Sequence, residues 1–244
     1  MAISPLDRYG IKEVADVTFY EIKEDGTAGA PVLYLDTLKV STIEQTAENT
    51  SARGGKGNPE LITWDYNKEV NVTLEDALFS PKSMAIMFGD KDLGTKSEIT
   101  KTFRKAQVED GKVVLNGVTF TIGNGAVYTK ADGTTASATD YDYVTIKQTV
   151  SGHTIDITPD TFPGNYYVTG DTYARSETTG EDEFFQFIMP KVKVLSENTI
   201  TMEAEGDPSV FTMNLKVLKP IKGSMMQLVQ YTVTEPDNGD GGEE

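Results

Sequence analysis

The histidine and cysteine content limits the chemistry that this chain can perform. Its 244 residues include one His, His153, and no Cys. A catalytic triad needs an imidazole beside a nucleophile, and a zinc site needs several His or Cys ligands. His153 follows Ser151-Gly152, a typical turn sequence, so an exposed turn histidine is the simpler interpretation. The sequence therefore predicts no triad, no zinc site and no disulfide.

Carboxylates are the remaining groups that could act as catalysts or ligands. Close acids occur at Asp140 and Asp142 and in the run Glu181–Glu183, and glycoside hydrolysis uses two acids that flank a sugar. Among 38 Asp and Glu residues, such pairs are expected by chance. The one Trp, Trp64, lies in a strand-like segment and fits a core or interface position better than a sugar platform. We therefore predict a non-enzymatic protein without a cofactor.

Two short segments imitate ligand loops but lack essential positions. Asp237–Asp240 lacks the alternating spacing and the closing Glu of a calcium loop. Arg53–Gly57 is rich in glycine and cations, yet Thr50 and Gly57 stand where a phosphate loop needs Gly and Ser or Thr. A flexible cationic strip of this kind suits docking onto an acidic neighbour.

The net charge argues against stable binding of nucleic acid. The chain has 22 Lys and Arg against 38 Asp and Glu, a net charge of −16, whereas a phosphate-binding groove needs an excess of cations. The first residues lack a basic region followed by an apolar run, and no stretch approaches the roughly 18 apolar residues that cross a bilayer. We expect no membrane contact and folding in a cytoplasm.

Alternating apolar and polar residues predict a β-rich fold. Examples are the apolar positions Val70, Val72 and Leu74, which are separated by polar residues. Asn116-Gly117 predicts a tight hairpin, and Ser151-Gly152 predicts a weaker one. One short helix is predicted after Ser80, with that serine as the N-cap, Pro81 in the first turn and Gly89 at the end. We expect a single all-β domain over residues 1–234.

Two segments interrupt the strand pattern. Thr42–Pro59 is long and polar, and two interpretations are open: a disordered surface loop, or a loop that takes part in assembly. The Gly-rich, acidic residues 235–244 are predicted to form a disordered tail.

Four stretches, in this order along the chain, resemble the major tail tube proteins of long-tailed phages of Gram-positive hosts. In that family, one strand ends in Ile-Pro-Lys or Val-Pro-Lys. It precedes two strands that are separated by the turn Glu-Gly-Asp-Pro. The matching stretches are Ser51–Tyr66, Lys68–Pro81, Phe184–Val194 and Thr199–Leu218, the last of which contains Glu205-Gly206-Asp207-Pro208.

The resemblance implies a fold and an assembly. The fold would be two packed antiparallel sheets in a barrel-like arrangement with an N-terminal arm and one short α-helix, as in the tube proteins of type VI secretion systems. Subunits would form hexameric rings that stack into the tube through which DNA is ejected. Expected partners are other copies of the chain, the tape-measure, tail terminator and baseplate or tip proteins, a sheath protein in a contractile tail, and DNA passing through the lumen. The expected location is the virion tail, after assembly in the host cytoplasm.

By analogy with the family, the segment Thr42–Pro59 becomes the candidate for contacts between rings or subunits. Its candidate contact residues are Glu44, Glu48, Arg53, Gly54, Gly55, Lys56 and Asn58. Carboxylates facing the lumen would repel DNA and let it slide. Another virion or surface β-module, such as a capsid-decoration, tail-spike or adhesin domain, is the alternative.

Overall fold

A computed structural model describes residues 7–90, 93–197, 200 and 209–231. The predicted acidic tail at 235–244, the Glu205–Pro208 turn and the first six residues of the N-terminal arm lie outside the described residues. The described chain is mostly β-strand, which confirms the predicted β-rich class. The strands are β1 Tyr9–Ile11, β2 Asp16–Ile22, β3 Ala28–Leu35, β4 Leu38–Arg53, β5 Glu60–Asp76, β6 Gly94–Arg104, β7 Lys112–Leu115, β8 Val118–Thr121, β9 Val127–Thr129, β10 Tyr143–Thr154, β11 Asn165–Ser176, β12 Asp182–Val194, β13 Phe211–Val217 and β14 Gln227–Tyr231. The helices are α1 Pro81–Phe88 and a 3-10 turn at Lys105–Gln107.

The chain forms two compact units, and the single domain over residues 1–234 stays a prediction. Unit 1 consists of Met1–Lys91 and Ile157–Glu244, and unit 2 consists of Asp92–Asp156. Alternating hydrophobicity identifies strands locally but does not reveal which strands share a core. The boundary between the units therefore left no signal in the pattern.

Unit 1 is built on a hydrogen-bonded sheet of nine strands, one of several antiparallel sheets in the described chain. The strand order is β3-β2-β11-β12-β13-β5-β4, with β1 added beside β11 and β14 added beside β12. The ladder is continuous because β13 pairs with β12 on one side and with β5 on the other. Within the described residues, the end strands β3 and β4 do not pair with each other, so the predicted barrel-like closure is not observed in the subunit.

The core of unit 1 draws on strands from the whole width of the sheet. One cluster contains Leu33 from β3, Phe19 from β2, Val192 from β12 and Val72 from β5. Alternate residues of β13 and of the segment Val70–Asp76 in β5 are buried, as their period-two pattern predicts. Because burying such a side chain contributes about 1.5–3 kcal/mol, this cluster is the main source of cohesion in the unit.

Helix α1 begins and ends at the predicted residues. Ser80 caps it by accepting a hydrogen bond from the backbone N–H of Ser83 at 3.0 Å, and the Ser83 hydroxyl accepts one from the Ser80 N–H at 2.9 Å. Pro81 occupies the first turn. Gly89 ends the helix with a φ of 85°, and its N–H donates to the carbonyl of Ala85. Ile86 and Met87 join the core cluster.

Unit 2 has its own sheets and its own core. A three-stranded sheet has the order β6-β10-β9, and β7 and β8 form a separate hairpin. The hairpin turn at Asn116-Gly117 is confirmed, with φ values of 50° and 80°. The turn predicted at Ser151-Gly152 is wrong, because both residues lie within β10, where the pairing with β6 shifts register between Ser151 and Thr154. The cluster that fills unit 2 consists of Phe103, Val113, Phe120, Tyr141, Val144 and Ile146.

Candidate assembly surface

Most of the segment predicted as a loop at Thr42–Pro59 is a strand of a long hairpin. Strand β4 continues to Arg53, and β5 begins at Glu60, so only Gly54–Pro59 forms the connection. From Glu60 to Glu69, β5 pairs only with β4 among the described residues, because β13 pairs with Val70–Asp76 alone. The eight residues from Thr46 to Arg53 give the two-stranded part a length of about 26 Å. We call this two-stranded part, 46–69, the ribbon.

A β-bulge divides the ribbon. Thr46 pairs with Glu69 and Glu48 pairs with Tyr66, so the single residue Ala47 lies opposite Asn67 and Lys68. Asn67 has a φ of 50°, a left-handed conformation that asparagine tolerates better than most residues. A bulge increases the local twist and bends the strand that carries it.

Beyond the bulge, three large apolar side chains of β5 share one face of the ribbon, which we call its apolar face. The pairs Glu48 with Tyr66, Thr50 with Trp64 and Ala52 with Ile62 place those side chains on the same side. Ile62, Trp64 and Tyr66 are 54%, 53% and 46% exposed. The intervening residues Thr63 and Asp65 lie on the opposite face. The core position considered for Trp64 is therefore wrong, and an interface position stays a prediction.

The structure places the predicted contact residues at two levels of the hairpin. Arg53, Gly54, Gly55, Lys56 and Asn58 lie together at the tip, where Gly55 and Asn58 have φ values of 84° and 51°. Arg53 already binds Glu60, with a distance of 2.9 Å between its Nη2 and Oε2 of Glu60. Lys56 forms no ion pair within the described residues.

The two predicted glutamates lie further from the tip. Glu48 is beside the bulge and accepts a hydrogen bond from the side chain of Asn67 at 3.4 Å. Glu44 pairs with Asn71, about 30 Å from Arg53 along the strand, so it does not share a contact point with the tip. Sequence reasoning missed Ile62 and Tyr66, although their alternation with Thr63 and Asp65 was the available signal.

The bulge gives a first testable prediction. Asn67→Gly keeps the left-handed conformation at little cost, whereas Asn67→Val places a β-branched residue at positive φ. We expect Asn67→Val to weaken the ribbon by about 1–2 kcal/mol, which accelerates hydrogen exchange of the ribbon amides about five- to thirtyfold. Exchange measured by mass spectrometry checks this, with Asn67→Gly as the control. Equal exchange in the two variants would contradict a bulge at this position.

A second exposed apolar surface lies on unit 1. The ring of Phe184 lies 5.0 Å from Tyr173 and 5.6 Å from Tyr231, measured between centroids. These three residues lie side by side on β11, β12 and β14, and we call them the aromatic ladder. The aromatic ladder contains the first residue of the Phe184–Val194 stretch that resembles tail tube proteins.

An ion pair flanks this aromatic ladder. Arg175 donates two hydrogen bonds to the carboxylate of Asp182, at 2.7 and 2.8 Å, and these bonds lower the pKa of Asp182 from its usual value. A lowered carboxyl pKa stabilises the fold above the unfolded-state pKa, and this stabilisation is lost as the pH falls through the folded-state pKa. We expect Arg175→Gln to raise the pKa of Asp182 towards its ordinary value. Titration of the carboxyl by NMR measures this, and an unchanged pKa would show that Arg175 is not its cause.

The one histidine and the acidic residues were the groups that the sequence offered for chemistry. His153 is exposed on β10. No three His, Cys, Asp or Glu residues in the described ranges lie close enough together to hold a metal ion. None of the helices described is long and apolar enough to cross a membrane. An exposed apolar ribbon and open sheet edges are instead typical of a structural protein that forms contacts with other chains.

Comparison with known proteins gives the family. The model of the YomU/Tube protein family matches residues 9–230, so the chain belongs to that family. A tail tube protein of Bacillus phage SPR is 28% identical over 212 residues, which cover 79% of this chain and 78% of that protein. The resemblance to tail tube proteins of phages of Gram-positive hosts is thereby confirmed, and with it a structural role in the virion tail.

Proposed function

We propose that this chain forms the wall of the tail tube as hexameric rings that stack head to tail, and that DNA passes through the lumen during ejection. The observation that carries the proposal is the exposed apolar face of the ribbon. An isolated two-stranded hairpin is only marginally stable in water, and large exposed apolar groups mark interaction sites. In a homopolymer, the partner that covers this face is a second copy of the chain.

The ribbon supports stacking if its apolar face contacts a different surface on the next copy of the chain. A contact between two different surfaces of identical subunits is heterologous, and such contacts generate open-ended polymers. The ribbon extends about 26 Å beyond the segment in which β5 pairs with both β4 and β13, and a projection of this length suits contact with a neighbouring subunit. The cationic residue Lys56 at the tip suits an acidic acceptor.

The open edges of the sheet support ring formation. Strands β3 and β4 end the strand order, and unpaired edges readily accept a strand from another chain. Pairing between such edges would join the sheets of neighbouring subunits into one continuous barrel.

The distribution of charge supports a lumen that repels DNA. Unit 1 carries 15 Lys and Arg against 30 Asp and Glu, a net charge of −15, whereas unit 2 carries 7 against 8, a net charge of −1. Carboxylates on the lumen side of unit 1 would repel phosphates and let DNA slide without binding. The proposed partners are the tape-measure, tail terminator and baseplate or tip proteins, and a sheath in a contractile tail, with assembly in the host cytoplasm.

Electron microscopy of the purified protein tests this function. We expect sixfold rings and hollow tubes as the concentration is raised, and a three-dimensional reconstruction should show acidic side chains facing the lumen. A protein that stays monomeric both alone and in the presence of the tail tip complex would overturn the proposal. It would instead favour a capsid-decoration, tail-spike or adhesin module.

A further inference from the structure

We propose that unit 2, Asp92–Asp156, is an inserted module that folds on its own and is not needed for tube assembly. That unit 2 is not needed for tube assembly rests on the proposed function. The module would serve contacts other than those between the subunits of the tube wall.

Unit 2 has its own strand pairing and its own core. Its strands form two sheets of their own, and none of the described strands of unit 2 pairs with the nine-stranded sheet. Its core cluster shares no residue with the cluster of unit 1. Lys101 adds a cation–π contact inside the unit, with its Nζ 4.5 Å from the centre of the Phe120 ring. Each unit therefore has an independent source of cohesion.

Unit 1 itself holds together the two chain segments that flank the module. The chain leaves unit 1 after α1 and returns before β11. A Cβ added to Gly89 would lie only 2.4 Å from the carbonyl carbon of Phe162 and 2.6 Å from the nitrogen of Pro163. Because these backbones already touch within unit 1, the flanking segments do not depend on unit 2 for their positions. Close chain ends of this kind are the sites at which proteins accept inserted domains.

The features that support assembly all belong to unit 1. The ribbon, the edge strands β3 and β4 and the aromatic ladder lie in its two segments. The acidic surplus also lies there, since unit 2 is nearly neutral. Removing unit 2 would therefore leave the proposed contacts and the charge of the wall in place.

The first test removes the module. Asp90 is joined to Ile157 by six Gly and Ser residues, a flexible chain that spans about 13 Å on average. We expect this variant to unfold cooperatively and to form tubes at a rate within about twofold of the full chain. The control keeps the module and carries the same six residues between Asp132 and Gly133, in an exposed turn of unit 2. A folded deletion variant that forms no tubes, while the full chain and the control do, would overturn the proposal.

A second test keeps the whole chain and unfolds the module from within. Val144 is fully buried in the core of unit 2, and Val144→Asp places an unpaired charge there. We expect hydrogen exchange to show loss of protection in unit 2 alone, with tube formation retained. Loss of protection throughout unit 1 would overturn the proposal even if the deletion variant failed to fold. Exchange does not depend on polymerisation, so it separates failure of this inference from failure of the proposed function.

Discussion

Replacing Ile62, Trp64 and Tyr66 together by threonine is expected to abolish tube formation while the subunit stays folded. The three side chains are about half exposed in the subunit, and threonine preserves the preference for a β-strand. Because half of each side chain is already buried, full cover by a second copy would contribute about 0.8–1.5 kcal/mol for each one. A loss of about 4 kcal/mol per contact corresponds to about a 1000-fold weaker association.

The critical concentration for polymerisation, followed by light scattering and sedimentation, measures this effect. Asp65→Thr is the matched control, because Asp65 lies in the same stretch of β5 but on the opposite face. The control should polymerise within a fewfold of the unchanged chain. Normal tubes from the triple variant would show that the apolar face of the ribbon is not a contact between subunits.

Gly89→Ala is expected to be strongly destabilising for the addition of a single methyl group. Gly89 adopts a φ of 85°, and the added Cβ would lie 2.4 Å from the Phe162 carbonyl carbon. Positive φ alone costs about 1 kcal/mol for alanine, and the overlap with backbone atoms cannot be relieved by a rotamer change. We expect a total loss of about 3 kcal/mol in the free energy of unfolding of unit 1, measured by urea denaturation.

Gly223→Ala separates the two contributions. Gly223 has a φ of 86° and lies in unit 1, but nothing lies within 4 Å of the position that its added methyl group would take. This control should lose only the backbone contribution of about 1 kcal/mol. Equal losses in the two variants would mean that the backbones of Gly89 and Phe162 are not in close contact.

The sequence was informative where helix caps, turn residues or one buried face mark an element. Helix α1 was predicted from Ser80, Pro81 and Gly89, because these residues satisfy the free backbone groups at helix ends. The hairpin at Asn116-Gly117 was predicted because both turn positions need positive φ. Strand β5 was recognisable from Val70, Val72 and Leu74, whose alternation reflects one buried face.

The β4 strand of the ribbon could not be predicted from the sequence, because neither of its faces is buried. Both faces of β4 beyond Gln45 are largely exposed, so polar residues occur on each side and no alternation marks a strand. The resemblance to tail tube proteins predicts contacts for this segment, and most of the predicted contact residues lie at the cationic tip. The apolar residues Ile62 and Tyr66 follow on the returning strand, outside the segment that was singled out. Separation into two units was also hidden, because it depends on contacts between residues distant in sequence.

The bulge at Asn67 bears on the mechanics of the assembled tail. When a tube bends, the gap between successive rings must widen on the outer side of the curve and narrow on the inner side. If the rings are joined through the ribbons, these two-stranded elements are the most compliant parts of the wall, and the kink at Asn67 is where each one flexes. The flexural stiffness of the whole tail would then depend on these ribbons, and a change at a single asparagine would alter how far the virion tail curves.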